Sequence, residues 1–413
     1  MTATAKPQVG TTTPSAPAAD AFQLAGWLQE ARPETLQGLL AEAAGSKVLT
    51  FALGLPPTEL FPQEAFSRAT AELFQRDQEA LQLGAPFHPL KPHIAALMRQ
   101  RGVECTEEEV FLTSGAQQAL SLAARLFLEP GGRVLLEETS YLGFHHVIKP
   151  QIPELVTVPT SFDEGIDLDA VEAVLSRGVR PAVMYAMSEG HNPLGMSLSL
   201  AKRARLAELA RHYRVPLIED DPYGFLLFNE SAPPPIRALE KRWVFYAGSL
   251  SKVLSPSLRI GWLLAPPELH SRLSILRQSM DIDSSNLAQK AATRYLESGH
   301  LSTHLPVLRR ELKARRDAML AALEREFPAG CRWSRPDSGV FVWVELPKEM
   351  DATELLRAAL REEKVIFVPG SEFRCGGDPS LGRNCMRLSF SNLNPEQIEE
   401  GITRLARAVK RLR

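Results

Sequence analysis

The region between residues 110 and 219 alternates short hydrophobic runs with longer segments of helical composition. This alternation is typical of strands joined by crossover helices, so it predicts βαβ units and a mainly parallel sheet. Such a sheet binds ligands beyond the carboxyl ends of its strands, where we look for functional residues. The predicted strands are 110–113, 133–137, 155–159, 181–187 and 215–219, and the predicted helices are 116–127, 142–147, 168–176 and 200–213.

A polar loop at residues 248–259 lies between two further strand-like runs, 243–247 and 260–265. About a dozen residues without a helical pattern join these runs, and this connection is barely long enough for a crossover between parallel strands. We therefore expect an antiparallel strand at this place in the sheet.

The same loop carries two hydroxyls, an amine and a guanidinium. Ser249, Ser251 and Arg259 supply the short donors and the forked cation that suit a phosphate monoester. Lys252 is a separate amine that can form a Schiff base with a phosphorylated aldehyde. The alternative interpretation is a Gly/Ser/Pro loop with two surface cations.

Polar and aromatic residues also follow the other predicted strands. Gly115 opens a helix, where backbone N–H groups and the helix dipole can bind an anion, although an ordinary serine N-cap is the alternative. Asp220 and Asp221 end a strand and could also be a helix cap or a Mg²⁺ site. Asn192 could be a simple Asn-Pro turn, and Tyr141 a packed aromatic.

The chain changes character after residue 267. Residues 267–325 are predicted to be largely helical, and a smaller α+β unit follows. We expect a disordered leader at 1–20, rich in Ala, Thr and Pro and without the apolar core of a signal peptide. A segment at 21–60 should pack on the active site and the small domain, with a large domain at 61–300 and a small domain at 301–413. The C-terminal unit is predicted to contain strands at 340–346, 365–368 and 386–390, and helices at 352–362 and 395–412.

Composition argues against several classes of function. Lys plus Arg number 47 and Asp plus Glu 49, so the net charge of −2 indicates neither nucleic acid nor an anionic membrane as a partner. No apolar run approaches the roughly 18 residues of a transmembrane helix. The four cysteines form no CxxC pair, which favours reduced thiols and a cytoplasmic location. His145 and His146 have no further ligand at metal spacing, so we expect no metal site.

In this order and at these spacings, the motifs resemble the fold type I pyridoxal-phosphate (PLP) aminotransferases of class I/II. The branch of 2-aminoadipate, kynurenine and aromatic aminotransferases looks closest. The resemblance covers nearly the whole chain after the leader. It implies an α/β fold with a large PLP domain, whose mainly parallel sheet of the seven-stranded type lies between helices, and a smaller α+β C-terminal domain. It also implies PLP as cofactor and a homodimer with sites at the interface.

The resemblance also implies a role for each motif residue. Lys252 would form the Schiff base, and Asp220 would keep the pyridine nitrogen protonated because opposite charges stabilise each other. Arg387 would hold the substrate carboxylate, so that the Cα–H bond is broken and the carboxylate is retained. The implied catalytic set consists of Tyr141, Lys252 and Asp220. The implied phosphate site consists of Gly115, Ala116, Gln117, Ser249, Ser251 and Arg259. The phenolic oxygen would contact Asn192 and Tyr223, and the substrate would contact Arg387, Asn192 and Gly54.

The sequence departs from the family pattern in four places. The family's Leu-Gln-Tyr-Gly stretch ends here in Leu83-Gly84, so a leucine replaces a tyrosine that reaches the phosphate from the neighbouring subunit. The other departures are Thr139 for a usual proline, Ser338 for the first glycine of a Gly-Gly pair, and His191 directly before the Asn-Pro turn.

The implied activity is transfer of an amino group from an L-amino acid to a 2-oxo acid by a ping-pong mechanism, with 2-oxoglutarate as the expected acceptor. The alternative is another PLP reaction on the same fold, such as racemisation, β-elimination or a synthase step. A third class is a non-enzymatic regulator with an N-terminal helix-turn-helix domain, for which residues 1–20 are too short and too poor in apolar residues. The substrate side chain is left open: residues 35–44 are expected to cover the pocket, and Arg32 could meet an acidic side chain or lie on the surface.

Overall fold

A seven-stranded sheet forms the centre of the larger part of the protein. The computed structural model describes residues 25–29, 48–84, 86–229, 232–376 and 378–412. The strands are β1 (Leu49–Thr50), β2 (Val110–Thr113), β3 (Arg133–Glu137), β4 (Glu154–Val158), β5 (Thr160–Ser161), β6 (Gly165–Ile166), β7 (Val183–Ala186), β8 (Leu217–Asp220), β9 (Val244–Ser249), β10 (Gly261–Leu264), β11 (Arg332–Trp333), β12 (Phe341–Glu345), β13 (Val365–Ile366), β14 (Val368–Pro369) and β15 (Cys385–Ser389). The α-helices are α1 (Gly26–Gln29), α2 (Gln63–Arg76), α3 (Leu90–Gln100), α4 (Ala116–Phe127), α5 (Leu142–Ile148), α6 (Leu168–Ser176), α7 (Leu200–Tyr213), α8 (Ile236–Leu239), α9 (His270–Gln278), α10 (Asn286–Glu297), α11 (His300–Glu326), α12 (Ala352–Ala358) and α13 (Pro395–Leu412).

The strand order in the large sheet is β2-β10-β9-β8-β7-β3-β4. Neighbouring strands from β9 to β4 run parallel. Strand β10 runs antiparallel to both β2 and β9, which confirms the expectation for the strands beside Lys252. Because β2, β3, β7, β8 and β9 all point the same way, their carboxyl ends meet at one edge of the sheet, where a ligand site is expected.

Helices shield both faces of the large sheet from water. Successive side chains of a strand point to opposite faces, so each strand contributes to two cores. Leu135 and Leu217 pack on one face with α6 and α7, whereas Val134 and Ile218 pack on the other with α4. This two-sided burial is typical of parallel sheets and explains the nearly continuous hydrophobic runs in the sequence.

The C-terminal region forms a second, antiparallel sheet in the order β11-β12-β15-β14, with α11 packed along α13. A separate parallel pair joins β1 to β13, with Leu49 opposite Val365. This pairing brings residues 51–55, which follow β1, to the opening between the two sheets. The α/β fold with a mainly parallel large sheet and a C-terminal α+β unit confirms the predicted fold class.

Most predicted elements are confirmed within one or two residues. The helix predicted at 352–362 consists of α12 followed by a π-helical turn at Ala359–Glu363, and two further predictions need correction. The strand expected at 365–368 divides at the fully buried Phe367, so that β13 and β14 belong to different sheets. The composition of residues 66–81 also predicts a helix, but this helix ends at Arg76, because Asp77 leaves it and pairs with Lys290 at 2.7 Å. The leader, the segment at 35–44 that is expected to cover the pocket, and Arg32 lie outside the described residues.

Candidate active site

The loop between β9 and β10 gathers two serine hydroxyls and a guanidinium. Ser249 Oγ donates to Ser251 Oγ at 2.9 Å and accepts from the Ser251 backbone N–H at 3.0 Å. Arg259 Nη1 approaches Ser251 Oγ at 3.5 Å. The three side chains therefore form one cluster of donors, which is the chemistry that a phosphate group needs.

The start of α4 faces the same guanidinium. Gly115 has a φ of +85°, and a Cβ on it would lie 2.5 Å from Arg259 Nη2. Arg259 Nη2 also donates to the Ser114 carbonyl at 3.3 Å. Glycine suits both the left-handed backbone and the close approach. The first N–H groups of α4, on Ala116 and Gln117, have no partner inside the helix, so they are placed to bind an anion next to Arg259.

Asp220 is the last residue of β8 and is 1% exposed. Its Oδ2 accepts a hydrogen bond from the Tyr185 hydroxyl at 2.8 Å, whereas no donor in the described part of the chain reaches its Oδ1. Burial raises the pKa of Asp220 to about 7. A buried carboxylate oxygen without a donor costs free energy, so Oδ1 fits a ligand N–H.

Asp221 is equally buried but does not line the cavity that Asp220 lines. Its Oδ2 accepts from the Tyr246 hydroxyl at 3.0 Å and from Arg101 Nη2 at 3.3 Å. Burial raises the pKa of Asp221, and the positive charge of Arg101 opposes this increase. The Oδ1 of Asp221, like that of Asp220, meets no donor among the described residues. The two adjacent acids are distinguished by the ion pair of Asp221 with Arg101 and by the position of Asp220 alone on the cavity wall.

Lys252 lines the cavity together with Asp220. Its Nζ donates to the Gly54 carbonyl at 2.7 Å. Burial, followed by the charges of Arg387 and Arg259, lowers the pKa of Lys252 to about 8. A lysine with a lowered pKa is more often neutral at neutral pH, which is the form that acts as a nucleophile or a base.

Arg387 of β15 is buried and lines the same cavity as the serine cluster. It donates to Asn192 Oδ1 at 2.8 Å and to the Ala52 carbonyl at 2.6 Å. Its guanidinium carbon lies 4.1 Å from the ring centre of Phe341 and 4.9 Å from that of Phe373. Burial lowers the pKa of Arg387 to about 10, so the side chain keeps its charge at neutral pH. A fixed guanidinium of this kind fits a carboxylate.

Two tyrosines complete the walls of the cavity. Tyr141 directly precedes α5, and a Cβ on Gly143 would lie 2.2 Å from the Tyr141 ring, so glycine makes room for this ring. Tyr223 is buried and meets Phe341 edge to face, with ring centres 6.0 Å apart. Burial raises the pKa of Tyr223, so its hydroxyl keeps its proton and can donate it in a hydrogen bond.

The cavity has a volume of about 600 Å³. The structure brings together every predicted site residue. Gly115 lies beside the Arg259 guanidinium. The others line the cavity, namely Gly54, Ala116, Gln117, Tyr141, Asn192, Asp220, Tyr223, Ser249, Ser251, Lys252, Arg259 and Arg387. Sequence reasoning missed the apolar lining from Phe341, Val368 and Phe373, and it considered His146 only as a metal ligand. The position of Phe341 at the start of a C-terminal strand was the available signal, since strand ends in the small domain also border the cavity.

A phosphorylated pyridine aldehyde fits these residues. The donor cluster and the start of α4 suit its phosphate, Oδ1 of Asp220 suits its ring N–H, and the Lys252 amine suits its aldehyde. A cavity with a separate buried guanidinium for a carboxylate, at the strand ends of this fold, defines a PLP-dependent enzyme that acts on amino acids.

Comparison with known proteins gives the same assignment. The family model for aminotransferase class I and II matches residues 46–405. The 2-aminoadipate transaminase of Thermus thermophilus is 40% identical over 382 residues, which cover 92% of this chain and 94% of that protein. The aromatic-amino-acid aminotransferase 1 of Thermococcus litoralis is 37% identical over 384 residues, 91% of each chain. The crystal structure of LysN, the α-aminoadipate aminotransferase of T. thermophilus complexed with N-(5'-phosphopyridoxyl)-L-leucine, superposes with a TM-score of 0.86 at 38% identity, covering 94% of this chain and 97% of that one.

The chain therefore belongs to the class I and II aminotransferase family. It is a PLP-dependent transaminase of fold type I, as its sequence predicted. Among the described helices, none is both long and apolar enough to cross a membrane. The described residues contain no cluster of three or more His, Cys, Asp or Glu that could hold a metal ion.

The two adjacent acids are expected to differ in their effect on catalysis. Asp220→Ala should lower kcat by about 10²–10³, because it removes the carboxylate that faces the cavity. Asp221→Ala should mainly lower the melting temperature, because it removes the nearer of two acidic partners of the buried Arg101. Steady-state kinetics and thermal unfolding of both variants check this, and equal losses of kcat would contradict it.

Proposed function

We propose that the protein transfers the amino group of an L-amino acid to 2-oxoglutarate with PLP bound in the cavity described above. The proposal depends chiefly on one observation: Lys252, Asp220 and Arg387 face the same cavity. When bound, PLP supplies an aldehyde for the amino group and a protonated ring that accepts electrons from the substrate Cα.

Each of these three side chains has one task in the proposal. Arg387 binds the substrate α-carboxylate, which keeps that group in place and orients the Cα–H bond for cleavage. Lys252 Nζ accepts the Cα proton, as its lowered pKa favours. Asp220 Oδ1 accepts the hydrogen bond of the ring N–H, and its negative charge keeps that nitrogen protonated.

The remaining assignments follow from the same contacts. Asn192 uses its amide oxygen for Arg387, which leaves its amide N–H groups for the phenolic oxygen, together with the Tyr223 hydroxyl. Tyr141 stacks on the ring. The phosphate is assigned to Gly115, Ala116, Gln117, Ser249, Ser251 and Arg259, and Gly54 borders the substrate.

We also propose the domain division given by the sequence, with parts at 21–60, 61–300 and 301–413, and a cytoplasmic location. The two separate sheets support the division, since one lies within each larger part. The four cysteines are free thiols, and three of them are buried, which suits a reducing compartment.

A homodimer is the proposed assembly, and exposed apolar side chains near the phosphate end of the cavity support it. Leu81 is 76% exposed, Leu83 67% and Ile282 65%. The segment that carries Leu81 and Leu83 lies against α10, the helix that follows Ile282, because Lys290 Nζ of that helix donates to the Glu79 carbonyl at 3.1 Å. The segment that carries Ile282 reaches the start of α4, where Asp281 accepts from Ser114 Oγ at 2.9 Å. Such a patch suits burial against a second copy of the chain.

The first expected outcome concerns the half-reaction. Addition of an L-amino acid to the PLP-loaded enzyme should convert the bound cofactor stably to its pyridoxamine form, seen as a change in visible absorbance, until 2-oxoglutarate is added. A panel of acidic, aromatic and aliphatic donors identifies the amino acid. Absence of a lasting conversion with every donor would favour the racemase or eliminase alternatives.

Lys252→Ala is the control for that experiment. It should lose the absorbance of covalently bound cofactor and nearly all turnover. Borohydride reduction of the wild type followed by peptide mapping should label Lys252, and a label on another lysine would refute the assignment.

A second outcome concerns assembly. The wild type should have twice the mass of one chain in light scattering, and Ile282→Glu should shift it toward the monomer by placing a charge in the interface. Ile152→Glu is a matched control, because Ile152 is 64% exposed and also has a positive φ. An active wild-type monomer would rule out a site shared between subunits.

A third outcome concerns Leu83, which has no donor for the phosphate. A hydrogen bond to a charged group contributes about 1.5–3 kcal/mol, so Leu83→Tyr should slow PLP loss on dialysis by roughly ten- to a hundredfold. Leu81→Tyr, two residues away, is the control. If Leu83→Tyr changes nothing and the wild type already holds PLP tightly, another donor serves the phosphate, and a sharp loss of PLP in His88→Ala would identify it.

A further inference from the structure

Tyr185 makes the hydrogen bond that fixes Asp220. Tyr185 lies in β7 opposite Ile218 of β8, and Asp220 follows two residues later. Residues two apart on a strand share a face of the sheet, so the tyrosine can reach the carboxylate across the strand pair. The hydroxyl donates to Oδ2 at 2.8 Å, and both residues are almost fully buried.

The ring of Tyr185 is held in place by a second contact. It stacks on Phe144 of α5, with ring centres 3.9 Å apart and ring planes 8° from parallel. Tyr141, the proposed stacking partner of the cofactor ring, directly precedes the same helix. A continuous chain of contacts therefore connects α5 to Asp220 through Phe144 and Tyr185.

We propose that Tyr185 is a positioning residue of the PLP site, which occupies Oδ2 of Asp220 and thereby turns Oδ1 toward the ring nitrogen. This inference rests on the proposed function and deepens it. Tyr185 does not line the cavity, so it acts through Asp220 and does not touch the substrate. Its hydroxyl stabilises the ionised carboxylate, which is the form that pairs with a protonated pyridine.

The other groups around Asp220 do not replace this contact. Burial raises the pKa of Asp220, and the hydrogen bond from Tyr185 is the largest influence that lowers it. The negative charge of Asp221 raises this pKa further, while His191 and Lys252 lower it through their charges. Loss of the Tyr185 hydroxyl should therefore raise the pKa of Asp220 and favour the neutral acid, which binds a ring N–H poorly.

The chain contains a matched pair that separates positioning from simple stability. Tyr246 of β9 lies opposite Glu219, two residues before Asp221, and donates to Asp221 Oδ2 at 3.0 Å. Tyr185 and Tyr246 thus flank β8 with the same register offset, the same burial and the same type of bond. They differ in that the carboxylate bound by Tyr185 faces the cavity.

The experiment compares the PLP-loaded wild type with Tyr185→Phe and Tyr246→Phe. Tyr185→Phe should lose PLP on dialysis about tenfold faster, the factor that about 1.4 kcal/mol produces. When the pH is lowered, Tyr185→Phe should begin to lose PLP about one pH unit higher than the wild type, because its Asp220 carboxylate becomes neutral at a higher pH. Tyr246→Phe should leave both measurements unchanged, while thermal unfolding shows a similar loss of stability in the two variants.

Two results would overturn the inference. If the two variants lose PLP at the same rate with the same pH dependence, Tyr185 has only a structural role. If the wild type itself never retains PLP or never converts it with an amino acid, the proposed function fails together with the inference. Circular dichroism checks that both phenylalanine variants fold, and the isosteric change removes only the hydroxyl.

Discussion

The site depends on one buried charged group, the carboxylate of Asp220 at the end of the central strand β8. Transfer of Asp220 out of water opposes its ionisation, and the protein compensates on one oxygen only. Asp220 Oδ1, the oxygen without a donor among the described residues, gives this part of the cavity a negative charge. A protonated ligand nitrogen is the group that best neutralises that charge. The position of Asp220 in turn requires a rigid support, which the flanking parallel strands and the packed helices provide.

Buried positive charges in this protein also differ in whether an opposite charge lies beside them. Arg387 contacts the rings of Phe341 and Phe373 and donates to Asn192 and to the Ala52 carbonyl, yet no carboxylate among the described residues forms an ion pair with it. The Asp221–Arg101 pair, one residue from Asp220, shows the opposite solution, in which an acid and a base neutralise each other inside the protein. Neutralised pairs hold the fold, whereas the uncompensated charges of Asp220 and Arg387 are available to a ligand.

Much of this site could be predicted from the sequence, because the carboxyl ends of parallel strands lie side by side at one edge of a sheet. Ser249, Asp220 and Asn192 are far apart in sequence, yet each follows a hydrophobic run that could be recognised as a strand. Arg387 required a family resemblance, because its own strand belongs to the other sheet and no local pattern places it in the cavity.

Other features could not have been predicted, since they depend on how elements pack. The contact of Tyr185 with Asp220 requires the register of β7 against β8, which no turn fixes in a parallel pair. The break at Phe367 has a similar cause, because this short run is shared between two sheets. The stretch that holds Leu83 was recognised by its departure from a family motif, and the structure adds that this leucine is exposed.

The contacts of the N-terminal segment determine when the site can form during synthesis. Ala52 and its partner Arg387 are 335 positions apart, and Gly54 is 198 positions from Lys252. Contacts of such long range form slowly, because the closure of a large loop must precede them. A ribosome-bound chain can fold its large sheet as the successive βαβ units emerge, but the carboxylate-binding end of the cavity must wait until β15 has been made. Among the described strands, β15 is the last to leave the ribosome. A chain that ends before β15 would therefore retain Lys252 and the serine cluster but lack Arg387.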